Sequence, residues 1–566
     1  MSLLNRWNKN IATLISAKGE ALYVGRTRLR VVQSICLLLF ALVLIRLGDL
    51  TLMQAPNEPN VDRMHASVQS MERADIVDRN GVLLATTLQV QSLYADPKLI
   101  ENKPFVAQQL ETILGVSGVA GKIDRKGRFV WIKRGLTPDE HFKVNALGVP
   151  GLAFRTETRR FYPQGNLSSH VVGYTSVDGR GLAGMELEYD DRLAQGGEAL
   201  SLNMDVRVQH ALVKSLKSQM DNFKALAAMG GVVDIQTGEV IAAVSLPNFD
   251  PHHAGKADDH ALKNRFAQGV YEMGSTFKLF STANYIEKTG KPFSKTFDAR
   301  EPLKEGRFTI NDYHAEKRIL TLPEVFIHSS NIGSALMGRA IGSNHMQKFY
   351  RDLGFMDKMD VDFPGNPKPL TPNPWRDVNT LTASYGHGIA VTPLHVLQAA
   401  STIANNGVRP TLSFAKDAKN DPIQSRVLSA STAYKMRQLL RLNVTDGSGK
   451  QADVAGYMVG GKTGTSEKAG KGGYDKNRLL SSFLGVFPVD NPRYAVLAIL
   501  DEPKGNKKSH GYATGGWTAA PVVGDVIADM TRILGMAPNP NAPNLTAGLN
   551  RYLKKENTIT PASYQR

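Results

Sequence analysis

The stretch Tyr271 to Phe280, YEMGSTFKLF, sets a serine directly behind a glycine and a lysine three positions further on. If a helix opens at Gly274 or Ser275, Lys278 lies on the same face as the Ser275 hydroxyl. A serine hydroxyl is a poor nucleophile at neutral pH and needs an adjacent base. Lysine can be that base only when burial or a neighbouring cation pulls its pKa down. The start of a helix also presents backbone N–H groups to a developing oxyanion. The pair fits acyl transfer, but taken alone it is better read as an N-cap serine beside a solvated lysine.

Two further elements change that balance. In EVFIHSSNIGSALMGRAIG, Ser329-Ser330-Asn331 falls at the junction of two helix-like runs, where Ser329 and Asn331 can both face a cleft. Later, VGGKTGTSEK places Lys462-Thr463-Gly464-Thr465 at the end of an apolar strand. Lys462 supplies a second cation that depresses the pKa of Lys278 and attracts a carboxylate. Thr463 and Thr465 offer hydroxyl donors to the same carboxylate. Gly464, lacking a side chain, would let substrate backbone lie along the strand edge as an added strand. Each element has a decoy: Ser413–Lys416, Ser201–Asn203 and Lys288–Gly290 copy the three patterns in turn. The decoys lack the order, spacing and context that the other set has together.

Several elements must bring these residues to one place. With 566 residues, two or more domains are expected. From about Ala66 to Glu198 the pattern is mixed: β-like VQSLYAD and RFVWIKR, helix-like PFVAQQLETILG, and a turn at Asn80-Gly81 feeding a strand. This part reads as a structural or interaction module without a catalytic constellation. From Leu200, ALSLNMD reads as a strand and VRVQHALVKSLKSQM as a helix. GGVVDIQTGEVIAAVSLP reads as two strands around Gln236-Thr237-Gly238. Helix-like runs follow to roughly Leu442, and then about three strands. The expectation is an α+β domain whose central antiparallel sheet takes strands from both ends and is covered by helices. After Met536 the sequence predicts a loosely held polar tail.

Composition narrows the function classes. An apolar share of 42% is that of a globular protein, and a net charge of +16 without zinc-finger spacing or RNP-type aromatic runs argues against nucleic acid. A single cysteine, Cys36, excludes an intramolecular disulfide. It lies in VVQSICLLLFALVLIRLGDL, Val31 to Leu50, long enough to cross a bilayer as a helix. Arg26, Arg28 and Arg30 precede it, so the positive-inside bias keeps the N-terminal tail cytoplasmic. An uncleaved signal anchor is expected, with the bulk of the chain outside the cytoplasm. The histidine-rich HHAGKADDH, His252 to His260, is a weak metal candidate and is read as a loop.

With all three motifs in hand, the chain resembles a class B penicillin-binding protein, a peptidoglycan D,D-transpeptidase of the FtsI division type. ERADIVDRNGVLLA resembles the opening of the family's non-catalytic domain, RRFYPQGNLSSHVVGYTSVDGRGLAGMELEYDDRL resembles its later blocks, and YGHGIAVTPLHVLQAASTIANNG the helix pair beside the active site. Departures are Met273 where proline is common, Ala74 where glycine is usual, and Ser-Ser-Asn as the middle motif. The resemblance implies a tail at 1–30, an anchor at 31–50, a pedestal or dimerisation domain at 60–198, a β-lactamase-like transpeptidase domain at 200–536, and a polar tail at 537–566. It implies that Ser275 attacks a D-Ala-D-Ala stem peptide while Lys278 takes the proton, Ser329 relays a proton and Asn331 holds the substrate amide. Lys462, Thr463 and Thr465 would bind the terminal carboxylate, and the N–H groups of Ser275 and Thr465 would form the oxyanion hole. It further implies an amine acceptor, β-lactams as covalent inhibitors, an FtsW-type glycosyltransferase and other division proteins as partners, an inner-membrane location, and no metal or cofactor. An elongation-type enzyme, a D,D-carboxypeptidase or a β-lactam sensor are the alternatives.

Overall fold

The computed structural model describes residues 33–44, 72–418, 425–470 and 473–554. The chain divides into a unit ending at Ser70 and a unit from Met71 to Arg566. In the first, residues 33–44 form an exposed helix. Among the described residues no helix is long and apolar enough to cross a membrane. The rest of the expected 31–50 span, and the flanking arginines, lie outside the described residues.

The larger unit begins with a sheet built around one long strand. β1 (Ile76–Val77) turns into β2 (Leu83–Ala95) through the expected Asn80-Gly81 corner. There the Asp78 carboxylate accepts from the Asn80 and Val82 N–H groups at 2.7 and 2.9 Å, and Gly81 takes φ +84°. β2 pairs with β3 (Val130–Leu136) and with β4 (Leu152–Phe161). Helix α1 (Lys103–Leu114) starts at an Asn102 N-cap, and α2 (Pro138–Ala146) at a Thr137/Glu140 capping box. They cover a small core of Leu93, Leu110, Ile123 and Ile132. Beside this lobe the fully buried Glu186 carboxylate takes Arg73 Nε and Arg160 Nε, each at 2.7 Å. β5 (Leu200–Ser201), read from sequence as the start of the following domain, pairs in parallel with β1.

The second sheet has the strand order β8–β9–β10–β6–β7, every pair antiparallel. β6 (Ala227–Asp234) and β7 (Val240–Leu246) come from one end of the domain. β8 (Gly460–Gly470), β9 (Gly473–Phe487) and β10 (Tyr494–Asp501) come from the other. This is the sheet expected from the sequence. β6 and β10 are buried along their whole length, so they read as continuous apolar runs. Alternate residues serve two layers. Val232 and Val496 pack with α3 (Val206–Asn222) and α10 (Gly515–Ile533). Met229 and Leu497 face the other layer, where α4 (Lys278–Thr289) and α8 (Pro393–Ala404) lie. Between those two helices in sequence come α5 (Leu322–Ile327), α6 (Asn331–Ile341) and α7 (Asp377–Ala383), and after them α9 (Ala430–Thr445).

Two expectations are corrected. The helix does not open at Gly274 or Ser275: Gly274–Phe277 is a 3-10 turn and α4 begins at Lys278. Gly274 stands at φ +51°, and a Cβ there would lie 2.6 Å from the Thr465 carbonyl, so close packing on β8 sets the tight turn. The described part of the tail is not loosely held either. Leu545 and Leu549 are buried in the main core, the Tyr552 carbonyl accepts from Thr321 Oγ1 at 2.8 Å, and Lys554 N–H donates to Glu324 at 2.8 Å. Apolar residues spaced through a polar segment gave too faint a pattern to register.

Candidate active site

The 3-10 turn leaves Ser275 half-buried while Lys278, on the first turn of α4, is 1% exposed. Lys278 Nζ stands 2.8 Å from Ser275 Oγ. Ser275 caps no helix, since the N-cap position of the turn is Met273 and makes no side-chain bond. The blander reading of the serine is therefore gone. Gly386, at φ +84°, lets the corner after α7 touch the Gly274 carbonyl; a Cβ there would lie 2.1 Å from that oxygen. The segment from Tyr385, which leads into α8, thus lies against the nucleophile turn.

The junction of α5 and α6 delivers the middle motif. Ser330 is the N-cap of α6, accepting from Gly333 N–H, and its two neighbours in sequence, Ser329 and Asn331, both reach Lys278. Ser329 holds φ +58°, a left-handed conformation that costs a non-glycine residue about 1–3 kcal/mol and persists only where its surroundings enforce it. The enforcement is visible. Lys278 Nζ donates to the Ser329 carbonyl at 2.5 Å and to Asn331 Oδ1 at 2.7 Å, with Ser329 Oγ at 3.2 Å.

β8 is the edge strand of the sheet, and its Lys462 is completely buried. Lys462 Nζ reaches Ser329 Oγ at 3.1 Å and lies over the Phe326 ring, so one hydroxyl bridges two amines. Burial and the nearby Lys462 hold Lys278 well below the usual lysine range, against an opposing pull from Asp312. Burial brings Lys462 down to about 7. Two amines so placed titrate as a pair that resists a second proton, which favours a neutral amine beside Ser275. Thr463 Oγ1 lies 3.3 Å from Lys462 Nζ, and Thr465 Oγ1 accepts from Gly515 N–H at 3.2 Å, at the N-terminus of α10. Helix N-termini favour anions, so the threonines and Lys462 line a face whose chemistry suits a carboxylate.

The structure thus brings together Ser275, Lys278, Ser329, Asn331, Lys462, Thr463, Gly464 and Thr465. The reason expected for Gly464 is corrected: a Cβ would lie 2.2 Å from Thr276 Oγ1, 2.3 Å from Ser482 Oγ and 2.8 Å from the Met273 carbonyl. The space belongs to the protein's own nucleophile turn. Two decoys meet away from the site, Asn203 Nδ2 donating to Ser413 Oγ at 2.9 Å. In the histidine-rich loop, His252 accepts from Tyr162 N–H at 3.1 Å.

Sequence reasoning missed several neighbours. Ser448 lies 2.7 Å from Thr463 Oγ1, Ser466 Oγ donates to the Glu272 carbonyl at 2.6 Å, and Asp312 holds the α6 N-terminus. Ser448 had one faint signal, its setting in Gly447-Ser448-Gly449 before the Lys-Thr-Gly strand. The others are ordinary residues until folded.

Known proteins match both parts of the chain. The family described as penicillin binding protein transpeptidase domain matches residues 228–528, and the penicillin-binding protein dimerisation domain matches residues 68–218. The chain is 41% identical over 484 residues to the probable peptidoglycan D,D-transpeptidase FtsI of Caulobacter vibrioides, covering 82% of each. This chain is a class B penicillin-binding protein of the FtsI type. Within the family it is also 32% identical to the probable peptidoglycan D,D-transpeptidase PenA of Neisseria gonorrhoeae, over 82% of this chain and 85% of that one. The penicillin-binding protein 3 of Mycobacterium tuberculosis, solved with aztreonam, shares the fold at a TM-score of 0.66 and 24% identity, over 84% of this chain and 98% of that one.

Proposed function

We propose that this penicillin-binding protein crosslinks peptidoglycan stem peptides as a serine D,D-transpeptidase at the division septum. The observation that carries the reading is the buried Lys278 amine 2.8 Å from Ser275 Oγ, its pKa depressed. Ser275 attacks the penultimate D-alanine carbonyl, and Lys278 takes the hydroxyl proton. The C–N bond breaks, and the proton passes through Ser329 to the departing D-alanine amine. The N–H groups of Ser275 and Thr465 hold the oxyanion, Asn331 the substrate amide, and Lys462, Thr463 and Thr465 the terminal carboxylate. An amine of a second stem peptide then forms the new amide as the ester to Ser275 breaks and the serine regains its proton. β-Lactams occupy the donor site and stay on Ser275 as a slow ester.

In this reading residues 31–50 anchor the chain in the inner membrane, with 1–30 cytoplasmic and the catalytic bulk outside. Residues 60–198 serve as the pedestal or dimerisation domain, 200–536 as the transpeptidase domain and 537–566 as its C-terminal segment. An FtsW-type glycosyltransferase in the same membrane polymerises the glycan. Support comes from the apolar run after Arg26, Arg28 and Arg30 and from the FtsI names of the relatives. Membrane-extracted protein treated with fluorescent penicillin should carry one adduct, located on Ser275 by mass spectrometry and absent from Ser275→Ala. Folded protein that takes up no label would overturn the assignment.

A further inference from the structure

Something must hold Ser329 in its unusual conformation and keep Asn331 on Lys278. The loop that follows the short strand Phe308–Ile310 packs against this segment. Its Asp312 accepts the Ser330 hydroxyl at 2.7 Å through Oδ2 and the Ile332 N–H at 2.9 Å through Oδ1. The preceding Asn311 carbonyl accepts from Asn331 Nδ2 at 2.8 Å. Both residues that follow Ser329 are therefore tied to the same two-residue stretch. A carboxylate at the first turn of α6 also suits the partial positive charge there.

We propose that Asp312 is a positioning residue of the acylation site, whose carboxylate clamps the Ser329–Asn331 segment and opposes the charge of Lys462 at the Lys278 amine. The inference rests on the transpeptidase reading of the site. The charged groups acting on Lys278 are Lys462 on β8 and Asp312 on the loop, while His387, in the corner after α7, is held below its ordinary range by burial and by Lys278. Lys462 disfavours a proton on Lys278, and Asp312 favours one. Without the carboxylate, Lys278 sheds its proton at lower pH, so the base form persists further into acid.

The test is the second-order rate of Ser275 acylation by fluorescent penicillin, measured against pH on the full chain. For Asp312→Asn, which keeps the shape and loses the charge, the acid limb should move down by about half to one pH unit. The plateau should fall several-fold as the clamp loosens. Ser330→Ala breaks the clamp and leaves the charge, so its plateau should fall with the acid limb in place. An Asp312→Asn acid limb that overlays the parent overturns the proposal, as does an unchanged Ser330→Ala plateau. The second result decides the matter if Asp312→Asn fails to fold. A parent chain that is not acylated at all would instead overturn the transpeptidase reading.

Discussion

At the scale of single residues, the site works because two amines are buried where water would otherwise keep both charged. Ser329 Oγ lies 3.2 Å from Lys278 Nζ and 3.1 Å from Lys462 Nζ, a short path for a proton between the nucleophile side and the carboxylate side. In the proposed acylation the base must be neutral, and desolvation first and Lys462 second lower the pKa of Lys278 in that direction. Gly464 has an equally specific task, since Thr276 Oγ1 and Ser482 Oγ, 3.1 Å apart, occupy the volume its side chain would need. Gly464→Ala should push the nucleophile turn off β8, costing about 1–3 kcal/mol of stability by overpacking. Its acylation rate should drop at least about tenfold, because a shift of an ångström at a reacting centre is that expensive. Denaturant unfolding and penicillin labelling would check both, and a variant with parental kinetics would show that the turn tolerates the methyl group.

Among the elements, α5 is where the catalytic segment meets the stretch around Tyr552 and Lys554. Its capping box ties Thr321 N–H to Glu324 at 2.9 Å. The same Glu324 also takes Lys554 N–H and pairs with Arg318 at 2.9 Å. α5 ends two residues before Ser329, so whatever steadies it steadies the middle motif. Leu549, 2% exposed in the main core, pins the C-terminal segment in place, and Gln438 on α9 donates to the Leu545 carbonyl at 3.0 Å. Leu549→Ala should lower stability by about 2–4 kcal/mol, the cost of a buried leucine and the cavity left behind. Thermal unfolding measures it. A loss below about 0.5 kcal/mol, the usual scale of surface changes, would show that the segment is not held by this contact.

For the molecule as a whole, the non-catalytic part is not a detachable appendage. Its Ile76, Leu84, Tyr162 and Met185 belong to the same buried cluster as Val233, Val240 and Phe277. Polar ties add to this: Asp362 accepts from Phe414 and Ala415 N–H and from Tyr189 OH, and burial raises its pKa to about 6. Asp78 accepts from Val206 N–H at 3.1 Å, closing the first turn of α3 from the other module. A fragment starting at residue 219 loses β1 and β5, most of α3 and one side of this cluster. It should melt well below the longer chain or aggregate when purified. A fragment with the parental melting temperature would show that the catalytic sheet stands alone.

The sequence by itself determined the chemistry and most of the architecture. Three motifs in fixed order, strand and helix periodicities, and the two-ended antiparallel sheet were all legible, because local patterning reports which face of each element is buried. Tertiary structure decided what depends on contacts between distant segments. It placed the α4 start at Lys278, because Gly274 must lie against the Thr465 carbonyl. It gave Gly464 its reason, pinned the described part of the tail through Leu545 and Leu549, and recruited Asp312. None of these leaves a periodic trace, since each is a single close approach between residues far apart in the chain, and such an approach exists only once the chain has closed around it.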